Sequence, residues 1–219
     1  MSSILSVNVG QPREIVWDDR VVLTSIVKSP RNGPVKVSWL NLEGDCQADL
    51  SVHGGRDKAV YAYPFEHYGF WRDELPDADL SFGAFGENLT TEGILEDDLH
   101  IGDRLQAGTA EFVVTQPRLP CFKLAARFGR LDMVKRFQRS GRSGFYLAVV
   151  REGTVSTGDE LSIVSRHQPA ISIREAASLY AGGEVDRDLL ERAASLDALP
   201  ESWRTDLRKR LARRLATSG

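Results

Sequence analysis

The sequence predicts a mainly β fold of the α+β class: a barrel or strongly bent sheet over residues 1–167, then a small three-helix unit over residues 168–219. Three observations carry this. Short apolar runs with alternating polar positions recur up to about Val164, each bounded by Asp, Asn or Gly. Only short stretches of helical spacing interrupt them. Beyond His167 the pattern changes to that of helices with capping residues.

In chain order, "SILSVNV" alternates apolar and polar residues and reads as the first strand. "REIVWDDRVVLTSIV" reads as two strands around an Asp18–Asp19 turn, and "KVSWLNL" as a further alternating strand. "PFEHYGFWRDEL" reads as a helix opened by Pro64, because a proline at the first turn lacks only an amide that would go unpaired anyway. "DRLQAGTAEFVVTQ" gives two more strands around Ala107–Gly108. "FKLAAR" reads as a helix ending at Gly129, and "DMVKRFQRSG" as one from Asp132 to about Gly141. "GFYLAVVREGTVSTGDELSIV" repeats the strand pattern, with turns at Glu152–Gly153 and Gly158–Asp159. In "IGDRL" and "TGDEL" the Asp caps its own turn. Ser172 and Glu175 then fit a capping box, and "AASLYAGG", "DRDLLERAASL" and "PESWRTDLRKRLARRL" complete three helices.

The composition excludes several function classes. Of 219 residues 42% are hydrophobic, enough for a sizeable core, and the net charge of -3 gives no reason to expect a polyanion as the main partner. No apolar run approaches the ~20 residues that span a bilayer, and the start "MSSILSVNVGQPRE" has no basic segment followed by an apolar one. The expectation is a cytoplasmic chain with no membrane partner. Cys46 and Cys121 are too few for a disulfide framework or a four-thiolate cluster, and neither has a Cys or His at zinc-ligand spacing. The last helix carries Arg208, Lys209, Arg210, Arg213 and Arg214 around a stripe of Leu207, Leu211 and Leu215. A solvated basic face explains this better than nucleic-acid binding, since upstream acids of the same tail balance the charge.

Three stretches could carry chemistry. In "TQPRLPCFKLAARFG", Pro120 stiffens the approach to Cys121, the helix start favours an anion, and Arg118 and Lys123 flank the thiol. That pattern predicts a thiolate, serving as nucleophile or soft metal ligand. The competing reading is a small buried apolar cysteine. Cys46, in "LEGDCQADL", has no such surroundings and reads as incidental. In "DLSVHGGRDKAVYAY", Gly54 and Gly55 allow a close backbone approach, with Arg56 and Lys58 beside them to meet a phosphate. A tight turn with exposed charges explains the same residues, with His53 bonding the turn. In "SFGAFGENLTTEG", Glu87 and Asn88 sit beside three glycines and could face a ligand or simply belong to a loop.

Together "HGGRDKAVYAYPFEHY", "GAFGENLTTEG", "IGDRLQAG", "TQPRLPCFKL" and "GFYLAVVREGTVSTGDEL", in this order, resemble the MOSC family, the domain related to the C-terminal part of molybdenum cofactor sulfurases. The YiiM-like branch, which also ends in a small three-helix domain, is the nearest match. The resemblance implies a β-barrel-like domain holding a molybdenum–molybdopterin cofactor, with Cys121 as the catalytic residue and the ligand to molybdenum. It places His53, Gly54, Gly55, Arg56 and Lys58 near the pterin phosphate, Glu87 and Asn88 on the pocket wall, and Arg118 and Lys123 beside the metal or phosphate. Arg31 would border the pocket, and pyridoxal phosphate binding is a further association of the family. The implied activity is reduction of N-hydroxylated compounds, such as 6-hydroxylaminopurine, to the amine plus water, a detoxification of base analogues. With no cluster cysteines and no dinucleotide fingerprint in the chain, electrons would come from a separate reductase, expected to be a flavoprotein. A homodimer is compatible with this organisation. The alternative the residues leave open is a sulfur carrier with a persulfide on Cys121.

Overall fold

The computed structural model describes residues 1–48, 54–181 and 185–217, the last three of these without their side chains. His53 and the side chain of Leu215 lie outside the described residues. The strands are β1 (Ser3–Val9), β2 (Arg13–Trp17), β3 (Arg20–Thr24), β4 (Ser29–Pro30), β5 (Val35–Val37), β6 (Val60–Pro64), β7 (Leu89–Glu92), β8 (Arg104–Ala107), β9 (Ala110–Pro117), β10 (Phe145–Arg151), β11 (Gly153–Val155) and β12 (Leu161–Ser165). The helices are α1 (Glu66–Glu74), α2 (Phe122–Phe128), α3 (Met133–Ser140), α4 (Ile173–Ser178), α5 (Arg187–Ser195) and α6 (Glu201–Thr217).

Eight strands form one sheet in the order β12-β8-β9-β10-β6-β7-β1-β4. Neighbours pair antiparallel except β6 and β7, which run parallel and are joined through α1. The sheet curls until β1 meets the start of β12: the Ile4 amide donates to the Asp159 carbonyl at 2.9 Å, and the Leu161 amide to that of Ser2 at 2.9 Å. Curling removes an exposed edge that would invite pairing with another chain. The β2–β3 hairpin turns on Asp18 and Asp19, both left-handed (φ 51° and 57°), which matches the twist of its strands. "KVSWLNL" departs from expectation: only Val35–Val37 is a strand, paired with β11, and Trp39 and Leu40 are exposed.

The core has two parts. One runs through the barrel (Leu99, Ile101, Phe112, Leu147) and continues unbroken into the three-helix unit (Ile173, Leu190, Trp203, Leu207). Burying such large apolar side chains is worth roughly 1.5–3 kcal/mol each, so the helical unit gains its stability largely against the barrel. Its entry is fixed by backbone bonds from Ile101 to Ile171 and from Ile173 to Leu99, both 2.9 Å, and by the Ser172–Glu175 capping box. Fully buried Asp103 caps its own turn at the His100 amide (2.9 Å) and also accepts from the His167 amide (2.9 Å) and Arg166 (2.7 Å). The second part is aromatic: Tyr61, Tyr63, Tyr68, Trp71, Phe85 and Phe137 pack under α1, α2 and α3. This cluster supports the segment that carries Cys121.

Candidate functional site

β9 ends at Pro117, and Arg118, Leu119 and Pro120 lead to Cys121, which caps the N-terminus of α2 in an extended conformation (φ −129°, ψ 177°). Helix α2 stops at Gly129, whose left-handed φ of 63° only glycine and a few short polar residues adopt readily. Cys121 is half-buried on the wall of a cavity of about 110 Å³. Five separate parts of the chain complete that wall: residues 24–26 at the end of β3, residues 46–48, Gly86, Tyr61 on β6 and Tyr146 on β10; Arg118 and Lys123 stand beside the thiol.

The cavity is cationic. Arg118 is only 7% exposed; its Nη1 donates to the Phe85 carbonyl at 2.5 Å, and its guanidinium lies over the Tyr61 ring at 4.8 Å. Burial works against its charge, yet Tyr61, Tyr146 and Cys121 together hold its pKa above the ordinary arginine value. Burial lowers the Lys58 ammonium, with Asp57 and then Cys121 opposing, so the sulfur and this cation share one electrostatic neighbourhood. Lys123 is 8% exposed and lines the cavity itself. Burial pushes the Tyr61 and Tyr146 phenols upward, against Arg118, so both stay neutral at physiological pH. Tyr61 is also committed through its hydroxyl, which donates to the Ser143 carbonyl at 2.8 Å. Ser25 is also on this wall, with its Oγ buried and without a hydrogen-bond partner among the described residues. A buried hydroxyl left unpaired costs on the order of 1–3 kcal/mol, which a ligand accepting or donating there would recover.

A polar layer lies behind the wall. The carboxylate of Glu87, fully buried, accepts from the amides of Gly83 (2.8 Å) and Phe85 (3.0 Å), from Thr90 Oγ1 (3.0 Å) and from the Tyr68 hydroxyl. Burial raises its pKa, and the four donors hold that rise back. Asn88 accepts from the Tyr61 amide (3.1 Å) and donates to Asp45 (2.8 Å). Asp45 also accepts from the Gly10 amide (2.8 Å) and pairs with Lys28, itself almost wholly buried. Two residues further, Gln47 accepts from the Gly55 amide (2.9 Å) and donates to the Leu40 carbonyl (2.8 Å).

The structure thus brings Cys121, Arg118 and Lys123 together on one cavity, with Lys58 close behind them. Glu87 and Asn88 do not line it; they brace the Gly83–Gly86 turn and the Cys46 segment from within, a correction to their expected place. Gly55 contributes through its bond to Gln47, and neither it nor Gly54 is on the described wall. Arg56 is exposed and stacks on Trp39 at 5.5 Å, and Arg31 is exposed outside the described wall. Cys46, read as incidental, is on the cavity wall, as are Tyr61, Tyr146 and Ser25, which sequence reasoning missed. The two tyrosines sit inside strand patterns with no local mark of function. Cys46 follows an Asp whose partners are far away in sequence. Among the described residues no group of three or more His, Cys, Asp and Glu side chains could hold a metal ion, so a metal here would depend on a ligand beyond the protein.

Residues 49–162 match the MOSC domain family, and residues 171–214 match the family described as the YiiM-like, 3-alpha helix domain. An uncharacterized protein of Bacillus subtilis, YflK, is 43% identical over 97% of this chain and 96% of its own. A protein of Gibberella moniliformis named "Reductase" is 35% identical over 80% of this chain, which corresponds to 32% of that longer protein. The crystal structure of YiiM from Geobacillus stearothermophilus superposes with a TM-score of 0.80 at 37% identity, covering 96% of this chain and 100% of that one. With a MOSC domain, a three-helix domain of the YiiM type behind it and whole-chain likeness to a YiiM structure, the chain belongs to the MOSC family, in its YiiM-like branch.

Proposed function

We propose that the protein is a molybdenum-cofactor-dependent reductase that converts N-hydroxylated compounds to amines, with Cys121 as the protein ligand to the metal. One observation carries this reading: a single cavity presents a half-buried thiol beside the buried cations Arg118 and Lys123. The donor set suits a phosphate-bearing, sulfur-coordinated group: a soft sulfur for the metal and cations for the anionic charge. The fungal relative named a reductase is in keeping with redox chemistry.

When bound, the cofactor supplies the two-electron couple that the net reaction, R–NHOH plus two electrons and two protons to R–NH2 and water, requires. The chain's own residues do the rest. Cys121 holds the metal from an extended cap that Pro120 stiffens. Arg118, Lys123 and Lys58 offset the negative charge of the group. Arg118 cannot swing away, because the Phe85 carbonyl and the Tyr61 ring hold both its edge and its face. The Tyr61 and Tyr146 rings, 5.1 Å apart, give the cavity an aromatic side that limits water. Electrons come from a separate reductase, of flavoprotein type.

The test is elemental analysis and oxidised-pterin fluorescence on wild type and Cys121→Ser, made in a host that loads molybdoenzymes, alongside turnover of 6-hydroxylaminopurine. Wild type should carry molybdenum and pterin and form the amine; the variant should lose all three. Absence of molybdenum from wild type, while a known molybdoenzyme in the same host is loaded, overturns the reading. A one-sulfur mass increase on Cys121 in place of metal would instead identify a persulfide carrier.

A further inference from the structure

Charge is unevenly placed along this chain. Residues 118–142, from the Arg118 segment through α2 and α3, hold eight arginines and lysines and one acid, Asp132, a net of +7 in a chain whose net charge is -3. The same stretch exposes Leu119, Phe122 and Leu131, the last at 83%. Leu119 and Phe122 flank Pro120 and Cys121 in sequence, so the outer side of the segment that carries the thiol is apolar. A cleft of about 120 Å³ joins that segment to α3, lined by Leu119 and Pro120 and by Phe137 and Arg139. The basic side chains of α6 are largely used within the protein: Arg208 pairs with Glu201, Arg210 donates to the Leu179 carbonyl and Arg214 to that of Val185. Lys135 and Arg139 on α3 differ. Both are exposed, and neither has an ion-pair or hydrogen-bond partner among the described residues. Four residues apart, they are neighbours on one helix face, where like charges repel and an anionic partner would relieve them.

We propose that this face, the exposed side of α3 together with Leu119 and Phe122, docks an acidic surface of the flavoprotein that delivers the electrons. The proposal rests on the reductase reading above and gives the donor a place on the protein and a sign of charge. A field of one sign draws an oppositely charged partner in and orients it before contact. Apolar contacts edged by cations suit the small, brief interface of an electron-transfer encounter, in which the spent donor must leave. An electron, unlike a substrate, requires no opening: a flavin brought against Leu119 and Pro120 is separated from Cys121 by one short run of bonded residues. The exchange balances with the donor's reduced flavin, FlH2: R–NHOH and FlH2 give R–NH2, water and Fl, the flavin losing the two electrons and two protons that the nitrogen centre gains. In the Gibberella moniliformis relative the matched part is 32% of the chain, so a unit like this one lies there within a much larger protein. A nucleic acid would meet the same cations, but Leu119 and Leu131 offer nothing to a phosphate backbone.

The test follows anaerobic oxidation of reduced flavodoxin, an acidic FMN protein, by the holoenzyme with 6-hydroxylaminopurine present. Wild type is compared with the double variant Lys135→Glu, Arg139→Glu on α3 and with Arg208→Glu, Lys209→Glu on α6. Reduced methyl viologen, a small donor that needs no docking face, is run beside flavodoxin. In the α3 variant the flavodoxin rate should fall about tenfold or more at low ionic strength, and the difference should close in high salt. Viologen turnover and molybdenum content should be no lower than in wild type, and the α6 variant should match wild type throughout. Independently of turnover, binding to immobilised flavodoxin should weaken in the α3 variant by a similar factor. An α3 variant equal to wild type with flavodoxin, a loss confined to the α6 variant, or an equal loss with viologen overturns the proposal. So does binding of single-stranded DNA as tight and as salt-sensitive as that of flavodoxin. A wild type that binds flavodoxin through α3 yet oxidises neither donor would sink the reductase reading and leave the docking face standing.

Discussion

Replacing Asp45 by alanine should be among the most damaging single changes outside the apolar core. Asp45 accepts from the Gly10 amide and from Asn88, both at 2.8 Å, and neutralises Lys28, whose side chain is 8% exposed. Without it the ammonium stays buried without its ion-pair partner, with only the more distant Glu87 opposing, and breaking such a buried pair costs about 3–5 kcal/mol. Each orphaned donor adds on the order of 1 kcal/mol, partly relieved by relaxation, so the expected loss is about 4 kcal/mol. That is a large share of the ~5–15 kcal/mol by which domains are stable. Urea unfolding followed by tryptophan fluorescence reads it directly. The double variant Asp45→Ala with Lys28→Met removes the stranded charge and should recover about 2 kcal/mol. Burial already holds the Lys28 pKa below its ordinary value, so above neutrality the unfolded chain binds more protons than the folded one. Stability attributable to Lys28 therefore rises with pH toward the unfolded value of ~10.4, and the Asp45→Ala deficit should shrink over that range. A single-variant loss under about 1 kcal/mol, or a double variant no more stable than the single, would refute the argument.

Glu96 is fully buried against His67 at 2.8 Å and accepts from the Gly144 amide at 2.7 Å; burial alone would raise its pKa, but these partners hold it below the ordinary carboxylate value. Its contribution is present above the unfolded pKa of ~4.3 and is lost as pH falls through the lowered folded value, so Glu96→Gln should be less stable at pH 7 and show a flatter acid slope in urea midpoints. Ser25→Ala removes an unpaired buried hydroxyl and should stabilise the protein by about 1 kcal/mol. A lower melting temperature would show that the hydroxyl makes a bond the protein relies on.

Features governed by neighbours in sequence were legible. The Asp18–Asp19 turn, the Ser172–Glu175 box and the glycine stop at Gly129 each depend on a few consecutive residues, and the structure has them where expected. Cys121 also fell where "RLPCFK" put it, because a proline and a helix start are local events. What failed depended on distant partners. The polar residues after the glycine loop looked like ligand contacts, yet Glu87 is turned inward because Gly83, Phe85, Thr90 and Tyr68 all present donors that need an acceptor. "KVSWLNL" had strand alternation, but only its first residues find a partner, in β11, more than a hundred positions away. The parallel β6–β7 pair needs a helical crossover, which no alternation pattern encodes. Cys46 reaches the cavity through Asp45 and Gln47, whose bonds run to Gly10, Asn88 and Gly55.

The charge that Cys121 feels comes from side chains more than from the helix behind it. The sequence placed Cys121 at a helix start and let the helix favour an anion there. Helix α2 has only seven residues, and Cys121 makes no side-chain capping bond to its amides. A helix end amounts to about half a unit charge, felt only within its first turn. Arg118 and Lys123 line the sulfur's cavity and Lys58 shares its electrostatic neighbourhood, so side chains should dominate the local potential. The potential can be measured without the cofactor by comparing alkylation of Cys121 by anionic iodoacetate with that by neutral iodoacetamide, in a Cys46→Ser background so that one thiol reports. About 1 kcal/mol, the scale for two close unit charges in water, corresponds to about fivefold in rate, so Lys58→Met should lower the iodoacetate-to-iodoacetamide rate ratio by up to about that factor. Added salt should erode the ratio in the parent more than in the variant. A ratio indifferent to Lys58 would mean that this cation does not act on the sulfur's surroundings, and the electrostatic case for an anionic ligand at Cys121 would then rest on Arg118 and Lys123 alone.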